Sequence, residues 1–190
     1  MASKNEIRIL AAFAFIAIFV GWTFMIYKIP PTDIVHSLGV DNSYFLVFAL
    51  AFLGGTSILF PFPYYLVVFT LAAGGLNPIY LAILAGTGVM IGDSTSYFVG
   101  YTGREILSPA FSKKFSKIYN WVLKKPKGLL PIFLYFYSFL VPLPNDLVVI
   151  PLGLARYPYL KAIIPLWAGN ISFNLAVALA GFYGIHFFGL

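Results

Sequence analysis

The chain contains no cysteine. That excludes disulfides, thiolate metal sites and thiol nucleophiles. Its two histidines, His36 and His186, lie far apart and near the ends of expected segments, so no metal site and no cofactor is expected. Charge is scarce too, at 9% of 190 residues, against 61% hydrophobic. An average soluble domain carries about 25% charged residues. So little charge excludes such a domain and points to an integral membrane protein. Asn42 to Gly92 and Ile9 to Tyr27 hold no charged residue, and Ala162 to Leu190 holds none beyond His186 when protonated. Enzyme signatures are also missing: there is no H-E-x-x-H, no Gly-x-Ser-x-Gly and no Walker loop. Gly92-Asp93 matches only the end of the Gly-x-Gly-Asp motif of intramembrane aspartyl proteases. Met90 replaces the first glycine, and the chain has no Tyr-Asp partner. The expectation is a protein that is not an enzyme.

The charge that is present is unevenly placed. The net value is +6, and six lysines lie between Lys113 and Lys127. A cytoplasmic loop obeying the positive-inside rule accounts for them. Nucleic acid is not an expected partner, because the loop is short and held to the membrane at both ends. Lys4 and Arg8 precede an apolar run of nearly signal-peptide character. The run is close to 20 residues long, however, and no small-x-small cleavage signal follows at Tyr27-Lys28-Ile29-Pro30. It reads as an uncleaved transmembrane helix.

What the chain does have is a duplication. Pro61-Phe-Pro63-Tyr-Tyr-Leu66-Val67-Val68 recurs 81 positions later as Pro142-Leu-Pro144-Asn-Asp-Leu147-Val148-Val149, with five of eight residues identical. At the same spacing Gly88 matches Gly169, Gly100-Tyr-Thr-Gly103 matches Gly181-Phe-Tyr-Gly184, and Asp93 falls opposite Asn174. Each proline pair breaks an apolar stretch, since proline removes a backbone donor and disfavours helix just before it.

Lengths divide the chain into spans. Ile7 to Tyr27 suits one crossing. Lys28 to Ser43, with two prolines and two aspartates, reads as an external loop. Tyr44 to Gly75 holds 32 residues and Gly128 to Ala155 holds 28. Each is too long for one crossing and too short for two, where a crossing takes about 20 residues. Both read as re-entrant hairpins broken at Pro61 and Pro63 and at Pro142 and Pro144, a geometry tolerated at membrane depth only inside protein or beside a water-filled cavity. Pro78 to Tyr101 and Pro158 to about His186 are full crossings. The first carries small residues at Ala82, Ala85 or Gly86, and Gly92 or Ser96, as a closely packed face would. After Ser108-Pro109, Phe111, Phe115, Ile118 and Val122 recur at helical spacing with lysines mainly off that face. That is a basic amphipathic helix, lying in the interface or packed on the protein itself.

The expected fold is therefore an all-α integral membrane domain. It comprises an N-terminal transmembrane helix and external loop at 1–43, and a membrane domain at 44–190. The latter divides into repeat one at 44–103, the basic linker at 104–127 and repeat two at 128–190. With Lys4 and Arg8 inside, the charge rule places the lysine-rich loop in the cytoplasm and turns the repeats over relative to each other. A multi-pass cell-membrane protein with an inverted repeat follows, its two broken hairpins meeting near the midplane.

Charged residues within a membrane are rare and costly. Asp93 lies within the second crossing, and Asp146 directly follows the second proline pair. Either suits proton coupling or the binding of a polar ligand. Each also has a structural reading: Asp146 as an acceptor for N–H groups freed by the prolines, Asp93 as part of a packing network with Ser94, Ser96 and Tyr97. Asn145, Asn170 and Asn174 add polar groups, the last two sharing a helix face. Tyr64 and Tyr65 occupy the places of Asn145 and Asp146 in the first copy, so the two tips differ chemically. Arg104 could hold a lipid phosphate with two hydrogen bonds or anchor a helix end by snorkelling.

The segment Gly92-Asp93-Ser-Thr-Ser-Tyr97-Phe-Val-Gly100-Tyr-Thr-Gly103-Arg104 resembles the Gly-Asp-x-x-x-Tyr-x-x-Gly segment and nearby arginine of the DedA / VTT-domain superfamily, the SNARE-associated membrane proteins. Pro61-x-Pro63 with Ala72-Ala73-Gly74-Gly75 resembles that family's first hairpin motif, and Pro142-x-Pro144-Asn145 with Gly153 its second. The resemblance covers Tyr44 to Tyr183. It implies two facing re-entrant hairpins and movement of undecaprenyl phosphate or phospholipid between leaflets. The chain departs from the bacterial pattern where Tyr64 or Tyr65 replaces an acid and where Ser138 and Asn145-Asp146 stand in the region of expected arginines. Pro144-Asn145 is closer to the eukaryotic scramblase-type members and archaeal relatives.

Three functions stay open on sequence. The first is lipid transport or scrambling, with Asp93, Asp146, Asn145, Asn174, Asn170, Tyr97 and Arg104 along the path and membrane lipids as partners. The second is a proton- or cation-coupled transporter of a small solute. The third is a non-transporting membrane scaffold, with a homodimer as its candidate assembly.

Overall fold

The computed structural model describes residues 17–56 apart from 19 and 26, then 63–103, 128–141 and 144–188. Pro61, Pro142, Arg104, Lys4, Arg8 and the lysine-rich amphipathic segment lie outside the described residues. All regular structure among the described residues is helical. Residues 20–25 are helical. The helices that follow are α1 (Pro31–Leu38), α2 (Val40–Gly55), α3 (Tyr64–Ala73), α4 (Pro78–Gly103), α5 (Leu129–Leu140), α6 (Asp146–Leu154) and α7 (Tyr159–Phe188).

The segment expected to be a polar loop, 28–43, is helical instead. Proline at the first position of α1 pre-sets the backbone, and Asp33 sits in the first turn. Pro31, Ile34, Val35 and Leu38 recur at helical spacing. Pro31 and Val35 are buried, and Ile34 and Leu38 pack partly against the core. Gly39 then adopts φ +80, a left-handed conformation open to glycine, and the chain bends by 100° into α2.

Among the described residues two helices are long and apolar enough to cross a membrane, Pro78–Gly103 and Tyr159–Gly184; the bent pair α1 and α2 adds a third if it counts as one span. Helices α3 and α5 are apolar but shorter. The small residues of α4 face inward, and Ala82, Ala85, Gly86, Gly92 and Ser96 are all buried. The N-terminal helical stretch is tied to α3, where Trp22 Nε1 donates to Thr70 Oγ1 at 2.9 Å.

Helices α4 and α7 pack together at the centre. Around them the duplication has a physical counterpart. The first arm of each copy packs on its own long helix, α2 on α4 and α5 on α7. The second arm crosses over, α3 packing on α7 and α6 on α4. Close approaches follow the same rule. A Cβ at Gly100 would lie 2.4 Å from the Ile150 carbonyl oxygen, and one at Gly181 would lie 2.3 Å from that of Phe69. Both residues of the second pair are the 81-residue counterparts of the first.

The core divides likewise. One cluster contains Val68, Leu71, Leu81, Ala85 and Ala178. The other contains their counterparts Val149, Leu152, Ala162, Leu166 and Tyr97. Each is a repeat's own core, closed by one residue from the other repeat. The first arms depart from the spacing: Gly88 lies against Phe48 and Gly169 against Tyr135, residues 87 apart. The chain between arm and break is thus six residues longer in the first copy.

Candidate functional site

Where α4 and α7 meet, polar side chains from five elements form one hydrogen-bonded network. Asn145, at the N-terminal end of α6, donates from Nδ2 to Asp93 Oδ2 at 2.8 Å and to Asn170 Oδ1 at 3.3 Å. Asn170 donates to the same Asp93 oxygen at 3.3 Å. Ser138 on α5 donates to Asn170 Oδ1 at 2.7 Å. One turn along α7, Asn174 donates to the Asn170 carbonyl at 2.8 Å and to the Tyr64 hydroxyl at 3.4 Å.

The orientation of the amides is fixed by these partners. Turning Asn170 over would face its oxygen toward Asp93 and its NH2 toward the Asn145 amide. As placed, both amide nitrogens converge on one carboxylate oxygen, as hydrogen bonds to a charged acceptor favour. The surroundings are apolar and closed. Asp93 is 1% exposed and Asn174 not at all, and Asp146 and Asn170 are also buried. Buried charge of this kind is costly unless it is compensated.

Asp146 belongs to the same region. It follows Asn145 directly and heads α6, and Ser96, one turn on from Asp93, lies beside it. Pro144 contributes its carbonyl as an acceptor for the Tyr137 hydroxyl at 3.2 Å, and Pro63 stands at the N-terminal boundary of α3. The structure thus brings together five of the residues that the sequence singled out: Asp93, Asp146, Asn145, Asn170 and Asn174.

Tyr97 is placed differently. It is buried, but its hydroxyl donates to the Tyr157 carbonyl, and its ring packs among Phe98, Tyr101 and Tyr159. Tyr97 therefore fastens α4 to the turn between α6 and α7. Two participants escaped sequence reasoning. Ser138 is a hydroxyl in an apolar run, and Tyr64 was marked only as a difference between the tips. Their signal was the repeat itself, which aligns Tyr64 with Asn145.

Comparison of the chain with protein-family models, with curated proteins and with solved structures returned no match. Among the described residues no group of three or more histidine, cysteine, aspartate or glutamate side chains could hold a metal ion.

Proposed function

We propose that this protein moves lipids or lipid-linked head groups between the two leaflets of a cell membrane, as a scramblase or flippase of the DedA / VTT type. In this reading the two proline-broken segments are re-entrant hairpins of opposite orientation, with the N-terminus and the lysine-rich loop in the cytoplasm. The observation that carries it is the buried network joining Asp93, Asn145 and Asn170. Polar groups inside a membrane domain mark transport paths by default, and these lie beside a proline break, where discontinuous helices form transporter sites. A head group would pass along the network while its acyl chains stay in lipid, and the lysine-rich segment would draw anionic lipid to one face.

The test is a scrambling assay on purified full-length protein in liposomes carrying a fluorescent phospholipid. Protein-containing vesicles should expose the inner-leaflet probe faster than empty ones, and Asp93→Asn and Asp146→Asn should slow that exposure at least tenfold. Equal rates with and without protein would end the proposal. A proton- or cation-coupled transporter of a small solute is the second reading, favoured by two buried carboxylates whose side-chain hydrogen-bond partners among the described residues are all neutral.

A further inference from the structure

The network described above gives each amide nitrogen a partner and leaves several oxygens without one. Both side-chain N–H groups of Asn145 are used, toward Asp93 and Asn170. The Asn170 amide donates to Asp93, and that of Asn174 to the Asn170 carbonyl and Tyr64. Three acceptor atoms are left buried with no hydrogen-bond partner, Asp93 Oδ1, Asp146 Oδ1 and Asn174 Oδ1, and Ser96 Oγ lies buried beside Asp146. All four are oxygens. Their residues are at most 6% exposed.

Charge points the same way. Asp93 comes from the first repeat and Asp146 from the second, and the two interact. Among the described residues, the side chains that hydrogen-bond to them are the amides of Asn145 and Asn170 and the hydroxyl of Ser96. No basic side chain is among those partners. A buried acceptor left unpaired costs about 1–3 kcal/mol, more when it is charged. A carboxylate in such surroundings is either neutralised or balanced by a positive occupant held by several oxygens. Carboxylate, amide carbonyl and hydroxyl oxygens are hard ligands suited to small cations without a preference for nitrogen or sulfur.

We propose that Asp93, Asp146, Asn174 and Ser96 form a binding site for a small monovalent cation, a metal ion such as sodium or the primary ammonium of a head group. A bare anionic phosphate is the ligand class this site disfavours. The site uses the side chains of the proposed translocation path, but it does not require that lipid be moved, so binding and scrambling stand or fall separately.

The experiment is thermal unfolding of the purified full-length protein in detergent, at constant ionic strength. Sodium chloride is compared with choline chloride, the salt of a bulky quaternary cation, and parallel arms use ethanolamine hydrochloride and calcium chloride. Ligand at a hundredfold excess over its Kd should raise the melting temperature by about 5–10 °C. A rise with sodium identifies a free metal ion, and a rise with ethanolamine alone identifies a head-group ammonium. Asp93→Asn and Asp146→Asn should each remove at least half the rise, while Lys161→Gln, an exposed position, keeps it. Ser96→Ala removes one oxygen with little loss of packing, and it should weaken the apparent affinity several-fold even if an aspartate variant fails to fold. No rise with either cation, a rise only with calcium, or a rise that survives all three site substitutions would overturn the proposal.

Discussion

Gly181 lies so close to Phe69 that a Cβ on the glycine would stand 2.3 Å from the Phe69 carbonyl oxygen. Gly100 meets Ile150 in the same way at 2.4 Å. In each pair the glycine belongs to the long helix of one copy and its neighbour to the second arm of the other. The two contacts therefore exchange the repeats and hold them together by backbone approach, as small residues do in packed membrane helices.

Alanine at either position must push two helix backbones apart, because the obstructing atom is a main-chain carbonyl. Gly181→Ala and Gly100→Ala should each destabilise the fold by about 1–3 kcal/mol. Gly184→Ala is the control, since nothing lies within 4 Å of a Cβ there. It should be neutral or stabilising by up to about 1 kcal/mol, alanine being the better helix former. Unfolding curves in detergent measure all three, and equal effects at 181 and 184 would refute the packing argument.

Asn145 bridges Asp93 and Asn170 with a single amide nitrogen. Asn145→Ala removes both bonds and leaves Asn170 as the carboxylate's remaining amide donor. The expected loss is about 1–3 kcal/mol. In a double-mutant cycle with Asp93→Asn the effects should fail to add by more than about 0.5 kcal/mol. Additive effects would mean that the two side chains do not act on each other.

The repeat spacing made Asp93 and Asn174, or Tyr64 and Asn145, recognisable as counterparts before any coordinates. It could not say whether a second arm packs on its own crossing helix or on that of the other copy. That choice is made by packing at Gly100 and Gly181, and it brings Asn145 to Asp93 across 52 positions. Helix α1 was missed because Pro30, Pro31, Asp33 and Asp41 were weighed as loop composition. The spacing of Pro31, Ile34, Val35 and Leu38 carried the opposite signal. Tyr97 was drawn toward the site by lying one turn from Asp93, but a phenol is long enough to reach past that neighbour to the Tyr157 carbonyl.

Tyr97→Phe separates fastening from function. The substitution keeps the ring among Phe98, Tyr101 and Tyr159 and removes only the bond to Tyr157. Stability should fall by about 0.5–1.5 kcal/mol, while the rate of lipid exposure in liposomes changes less than twofold. A tenfold loss of scrambling at full stability would put Tyr97 on the transport path.

The two tips differ most where they are formally equivalent. Asn145 donates to a carboxylate oxygen at 2.8 Å, whereas its counterpart Tyr64 accepts from Asn174 at 3.4 Å, near the outer edge of hydrogen-bond range. Asn174 keeps its shorter bond to the Asn170 carbonyl at 2.8 Å when the tyrosine hydroxyl is removed. Tyr64→Phe should therefore cost no more than about 0.5 kcal/mol and leave scrambling near its original rate, while Asn145→Ala lowers both stability and rate. The comparison needs only the two single variants, assayed side by side in detergent and in liposomes. Equal losses would mean that the two tips contribute alike.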